Sequence, residues 1–128
     1  MKTYLDGVLI ADDRSEAEVR EEALARVAAG FDLAIAAGMP WAGKVLQIDD
    51  ASRANLTSAA LGAQIGLWPP GGAWRMADNS FLALTAPELV AMAGAAMGHY
   101  LALRQRMWAR RDAARAAKDR DEADRIVF

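Results

Sequence analysis

Three tight-turn signals divide this chain, and helix-forming stretches lie between them. Asp6-Gly7 separates the short runs Thr3-Leu5 and Val8-Ile10. Ala42-Gly43 separates Trp41 from Val45-Leu46-Gln47-Ile48. Asp78-Asn79 separates Trp74-Arg75-Met76-Ala77 from Ser80-Phe81-Leu82-Ala83-Leu84. Glycine, asparagine and aspartate tolerate the positive φ angles that tight hairpin turns require. The spacing predicts three short β-hairpins. A lone two-stranded hairpin is marginal in water, so each must dock on another element or on a partner.

The intervening stretches carry helix signals. Ser15-Glu16-Ala17-Glu18 and Thr85-Ala86-Pro87-Glu88 are capping boxes, the second with proline in the first turn, where no donor is lost. After Ser15, apolar residues recur near helical spacing at Val19, Ala23, Val27, Phe31 and Ile35, and Gly38 is a natural C′ residue. Gly30, inside this helix, weakens it by up to about 1 kcal/mol relative to alanine and marks where it would break. Asp49-Asp50 supply the N-cap of a second helix, expected from about Ala51 to Leu67, with Leu56, Ala60, Ala63 and Leu67 as its buried stripe. Trp68-Pro69-Pro70-Gly71-Gly72 stops it.

The last helix starts at the second capping box and is expected to run to about Ile126. Leu89, Met92, Ala96, Tyr100, Leu103 and Met107 form the buried stripe of its first half. Beyond Trp108 the stripe continues mainly in alanine, of which the chain holds about thirty in 128 residues. A forty-residue helix would span roughly 60 Å, against a radius of gyration of about 14 Å for a globule of this length. The alanine-rich half is therefore expected to pair with the first helix, to meet a second subunit, or to project into solvent. The fold class is α+β, mainly α: three helices, the last one long, with short β-hairpins between them. The organisation is an N-terminal hairpin or arm over residues 1–14, a helix-hairpin-helix-hairpin-helix core over 15–117, and a charged helical tail over 118–128.

Composition removes several function classes. The chain has no cysteine, which excludes disulfides, thiolate metal sites and cysteine nucleophiles, and only one histidine. Its first residues lack the apolar stretch of a signal peptide, and no uncharged apolar run reaches the length of a membrane span. The net charge of −2 offers nucleic acid no global attraction. The charge is uneven: residues 1–38 sum to −4, and residues 100–128 to +3. That asymmetry predicts that the first helix packs beside the last, in this chain or a neighbour's.

Candidate chemistry is sparse. His99 has no sequence-local partner beyond Tyr100 and reads as a residue at the polar-apolar boundary of its helix. Asp49, Asp50 and Asp78 are explained as caps and turn formers. Arg104, Arg106, Arg110, Arg111, Arg115 and Lys118 make a basic run, but acids follow it, so a solvated or partner-facing helix is expected and nucleic acid is not. Trp41 and Trp74 read as hairpin packing. Trp108, at the edge of the alanine-rich stretch, is the candidate interface anchor, and the partner-binding set is Trp108, Arg104, Arg111 and Arg115. No phosphate loop, dinucleotide fingerprint, metal motif or nucleophile elbow occurs, so no catalytic residue, metal or cofactor is assigned.

Gly38, Trp41, Gly43, Gln47, Asp49, Asp50, Ser52 and Asn55, followed by Trp74, Arg75, Asp78, Asn79, Leu84, Thr85, Glu88 and Leu89, carry a resemblance. In this order and spacing they resemble a domain of unknown function found in tailed bacteriophages and prophages, among tail-fibre and tail-assembly genes. The resemblance covers about residues 31–117, and its most specific pieces are the stretches 47–55 and 74–79. It implies a tail-associated protein and supplies no reaction. The expected partners are phage tail or tail-fibre proteins and further copies of the chain. The expected location is the virion tail, after synthesis in the bacterial cytoplasm. Two roles follow: a structural or accessory tail component at the tip or fibre attachment, or a chaperone of fibre assembly that is absent from the virion. A domain standing almost alone, with only a hairpin and an acidic helix before it, departs from long fibre proteins and argues against a receptor-binding shaft.

Overall fold

The computed structural model describes residues 1–128, apart from the side chain of Ile10. In chain order the elements are β1 (Lys2–Leu5), β2 (Val8–Asp12), α1 (Glu16–Ala37), β3 (Met39–Trp41), β4 (Lys44–Leu46), α2 (Asp50–Gln64), β5 (Ala73–Arg75), β6 (Phe81–Ala83), α3 (Ala86–Ala116) and α4 (Arg120–Asp124). The strands form three antiparallel two-stranded sheets, β1-β2, β3-β4 and β5-β6. The fold is α+β and mainly helical.

The local signals act where the residues place them. Asp6 and Gly7 take φ of 52° and 78°, and Ala42 and Gly43 take 50° and 75°, the double left-handed geometry of a tight hairpin turn. In the third turn only Asn79 is left-handed, with φ 68°. Asp78 instead accepts from the Ser80 N–H at 2.9 Å and from its hydroxyl, and these bonds hold its carboxyl below the usual carboxylate range. At α3 the capping box is complete. The Thr85 N–H donates to the Glu88 carboxylate at 3.1 Å and the Glu88 N–H to Thr85 Oγ1 at 3.3 Å. These bonds lower the Glu88 pKa. At α1 only half the box forms, the Glu18 N–H donating to Ser15 Oγ at 3.1 Å. Asp49 is the N-cap of α2 by backbone conformation, without a side-chain cap bond.

Two helix boundaries differ from the sequence reading. The helix after Thr85 does not run to Ile126: α3 ends at Ala116 and α4 begins at Arg120, so there are four helices among the described residues. Asp119 is the reason. Its carboxylate accepts from the Glu122 N–H at 2.8 Å, capping a new helix, and Glu122 accepts from the Lys118 N–H at 3.1 Å. The second helix stops at Gln64 rather than Leu67. Gly66, with φ 83°, donates to Ala63 O at 3.3 Å while Leu67 donates to Gly62 O at 2.8 Å, the paired bonds of a Schellman end. Leu67 consequently lies outside the helix and is exposed. Gly30 does not break α1.

The chain divides into two compact units. One comprises Met1–Phe31 with Gln105–Phe128, the other Asp32–Arg104. In the first, Val19, Ala117 and Ala123 are buried together with Ile126 packed against them. Arg14, 6% exposed, is its polar centre. Its guanidinium donates to Asp12 at 2.9 Å, to Asp124 at 2.8 Å and to Glu22. These bonds, led by that to Asp12, raise the Arg14 pKa further and hold Asp12 well below the carboxylate range. Burial pushes Asp124 upward, but bonds from Arg14 and Lys2 outweigh it and leave it lowered. The charge asymmetry of the sequence is realised in an unexpected way. The acidic N-terminal segment holds the C-terminal one through its few cations, Arg20 donating to Ala117 O at 3.0 Å and Arg26 to Ala123 O at 3.0 Å. In return, Arg120 donates to Arg14 O at 2.9 Å. Carbonyls at a helix end and beyond it accept such cations well.

The second unit is built on a core of Met39, Leu46, Ile48, Leu56, Met76, Leu84, Leu89 and Met92. Alternation supplies much of it: Leu46 and Ile48 are buried, while Val45 before them and Gln47 between them are exposed. Two hairpins are joined by the Ala77 N–H, which donates to Val45 O at 2.8 Å, and by Lys44 Nζ, which donates to Ser80 Oγ at 2.6 Å. Among the described residues, no helix is long and apolar enough to cross a membrane.

Candidate functional site

The same alternation that buries Leu46 and Ile48 turns Gln47 outward. Helical spacing puts Ser52 and Asn55, three residues apart, on one face of α2. On β5, Ala73 and Arg75 are exposed while Trp74 between them is half-buried against the core. These residues and Phe81 enclose a cleft of about 370 Å³, at the small end of the usual ligand-site range. One wall is the first half of α2 with Gln47, and the other is the β5-β6 hairpin.

The state of the polar groups distinguishes this cleft. No hydrogen bond to a described residue is made by the side chains of Gln47, Ser52 or Asn55, and Arg75 forms no ion pair. The Arg75 guanidinium instead lies 4.9 Å from the centroid of the Phe81 ring, an arrangement that holds it in place over an aromatic face. A larger groove of about 460 Å³, lined by Trp68, Pro69, Pro70, Thr85 and Glu88, differs in this respect. There the Trp68 indole N–H is spent on Leu84 O at 2.8 Å, and Glu88 on its cap. Hydrogen-bonding capacity left unused is what a ligand can exploit, so the smaller cleft is the candidate site.

The four residues singled out from sequence, Arg104, Trp108, Arg111 and Arg115, all lie on α3, at spacings that share one helix face. Trp108, Arg111 and Arg115 belong to the first unit and Arg104 to the second. Arg111 and Arg115 line a groove of about 450 Å³ with Glu21, Leu24 and Met107. Trp108 is 47% exposed. Arg104 reaches the Tyr100 hydroxyl, and Arg53 stacks 3.6 Å from the centroid of that ring. Arg53 also donates to Ile48 O at 2.7 Å and to Asp50 at 2.7 Å, which fixes the entry into α2 beside the cleft. Sequence reasoning did not single out Gln47, Ser52, Asn55 or Arg75 as a binding group, although all four are among the residues that carried the resemblance. Their signal was polar residues set between core positions.

One family model matches residues 18–127, described as a domain of unknown function, DUF4376. The chain belongs to the DUF4376 family. The DUF4376 span takes in every residue of the cleft and leaves β1 and β2 outside. No curated protein and no solved structure matches the chain.

Proposed function

We propose that this DUF4376 chain is a structural or accessory component of a bacteriophage tail, at the tail tip or fibre attachment, and that it acts by binding other proteins without catalysis. The observation that carries the reading is the chemistry of the cleft. Amides, a hydroxyl, a guanidinium and two aromatic faces line it. These groups donate, accept and stack, which is the chemistry of holding a partner's polar and aromatic groups. The tail assignment draws on the resemblance carried by residues 47–55 and 74–79. Tails are symmetric, and symmetric assembly uses one patch many times, so the proposal includes repeated copies around the tail axis.

Quantitative mass spectrometry of purified particles tests this. A fixed copy number per tail supports a structural subunit. Absence from particles, with the chain captured on the fibre protein in the producing cell, replaces that role with assembly chaperone. Absence from both overturns the tail reading.

A further inference from the structure

One wall of the cleft is a strand edge with unused main-chain groups. The Leu84 N–H donates to Gly72 O at 3.0 Å and the Met76 N–H to Ser80 O at 2.8 Å, and Trp74 lies opposite Leu82. The hydrogen-bonded positions of this ladder are therefore 72, 74 and 76. In an antiparallel pair the intervening residues direct N–H and C=O away from the partner strand. On β5 these are Ala73 and Arg75, both in the cleft wall. No third strand covers them among the described residues, and no described backbone bond outside the ladder uses their amides or carbonyls. Across the cleft stand Gln47, Ser52 and Asn55, whose side chains carry donors and acceptors suited to a peptide main chain.

We infer that the cleft receives an extended segment of a partner polypeptide as a third strand on β5, with an acidic side chain of that segment paired to Arg75. Main-chain bonds to Ala73 and Arg75 supply the pairing, and the amides of Gln47 and Asn55 take the groups on the segment's other edge. The acidic preference comes from Arg75, a cation with no carboxylate partner among the described residues, already positioned on Phe81. β5 is only three residues long, so the contact is short and its selectivity rests on that charge. The inference deepens the reading of the chain as a partner-binding protein and rests on that part of it.

The test pans a library of random ten-residue peptides against the full chain and takes the best binder as probe. Enriched sequences should carry aspartate or glutamate. Bound peptide should slow hydrogen exchange at the Ala73 and Arg75 amides at least tenfold. Arg75→Glu should weaken the probe at least tenfold, and replacing the probe's acid by lysine should restore binding. Ala73→Pro, which removes an outward N–H and leaves the ladder intact, should also weaken it. Circular dichroism melts of both variants establish that they fold. The inference is overturned by a probe that binds without protecting those amides, by indifference to Arg75→Glu, by failure to enrich any peptide, or by occupation of the cleft by oligosaccharides from a soluble panel instead. Its failure is separable from that of the tail reading. A chain present in particles whose cleft takes no peptide overturns only the strand addition. Peptide capture by a chain that no tail protein binds overturns only the tail role.

Discussion

Gly38 and Gly43 offer a controlled comparison of backbone strain and steric contact. Both are left-handed, with φ of 72° and 75°. An alanine in this conformation costs roughly 1–2 kcal/mol at either position, and the loss of unfolded-chain entropy on replacing glycine is common to both. Their surroundings differ. A Cβ at Gly43 meets nothing within 4 Å, whereas at Gly38 it falls 2.5 Å from Leu46 O and 2.7 Å from Val45 Cγ1. The oxygen is backbone and belongs to the strand that carries the buried Leu46, so it cannot rotate away. Relieving the contact adds about 1–3 kcal/mol, as for other overpacked sites. Gly43→Ala should therefore lose about 1–2 kcal/mol and Gly38→Ala about 2–5 kcal/mol. Urea unfolding followed by tryptophan emission reads both, since Trp41, Trp68 and Trp74 all lie in the unit that contains the two glycines. The midpoint should fall further for Gly38→Ala at unchanged slope. Equal losses would show that the α1 end does not approach β4 as closely as described, and the steric half of the argument would fail.

Other expectations concern the rest of the molecule. Leu89→Ala and Met92→Ala remove fully buried side chains and should each cost about 2–5 kcal/mol, measurable in the same unfolding experiment. Ala123→Leu should overpack the first unit by about 1–3 kcal/mol and increase hydrogen exchange in α4 before it affects α2. Asp12 and Asp124 have lowered pKa values, so their contribution is fully present above the ordinary carboxylate value near 4 and is lost as pH falls through the folded values. Stability of the wild type should drop more steeply below pH 4 than that of Asp12→Asn/Asp124→Asn, and parallel pH profiles would contradict the Arg14 network.

How much of this was legible beforehand depends on the range of the signal. The hairpins and the starts of α1 and α3 rest on two to four adjacent residues, such as Asp6-Gly7 or Thr85 to Glu88, whose chemistry acts on their own backbone. The end of α3 rests on equally local residues, Asp119 and Glu122, but a run of alanines and charges masked the cap within a sequence of high helix propensity. The exposure of Leu67 follows from Gly66, which lay unnoticed beside the louder stop signal of Pro69-Pro70. The candidate cleft was less legible for a different reason. Gln47, Ser52, Asn55 and Arg75 are individually ordinary, and they become a site only because β5 comes to lie across from α2. Residues separated by twenty or more positions meet through packing, which no local pattern encodes. Arg111 and Arg115, which share a groove, are brought together by helical spacing alone.

The first unit is assembled from the two ends of the chain, and Arg14 with Asp124 closes a loop of more than a hundred residues. Synthesis on the ribosome is vectorial, so Asp124 is still unmade when Arg14 leaves the exit tunnel. During that interval Asp12, Glu22 and the apolar face of α1 lack their C-terminal partners. Residues 32–104, contiguous in sequence, can fold while the chain is still being made. Forming them first shortens the effective loop that the ends must close and lowers the entropy lost in closing it. The Arg14 cluster therefore forms only once Asp124 has been made.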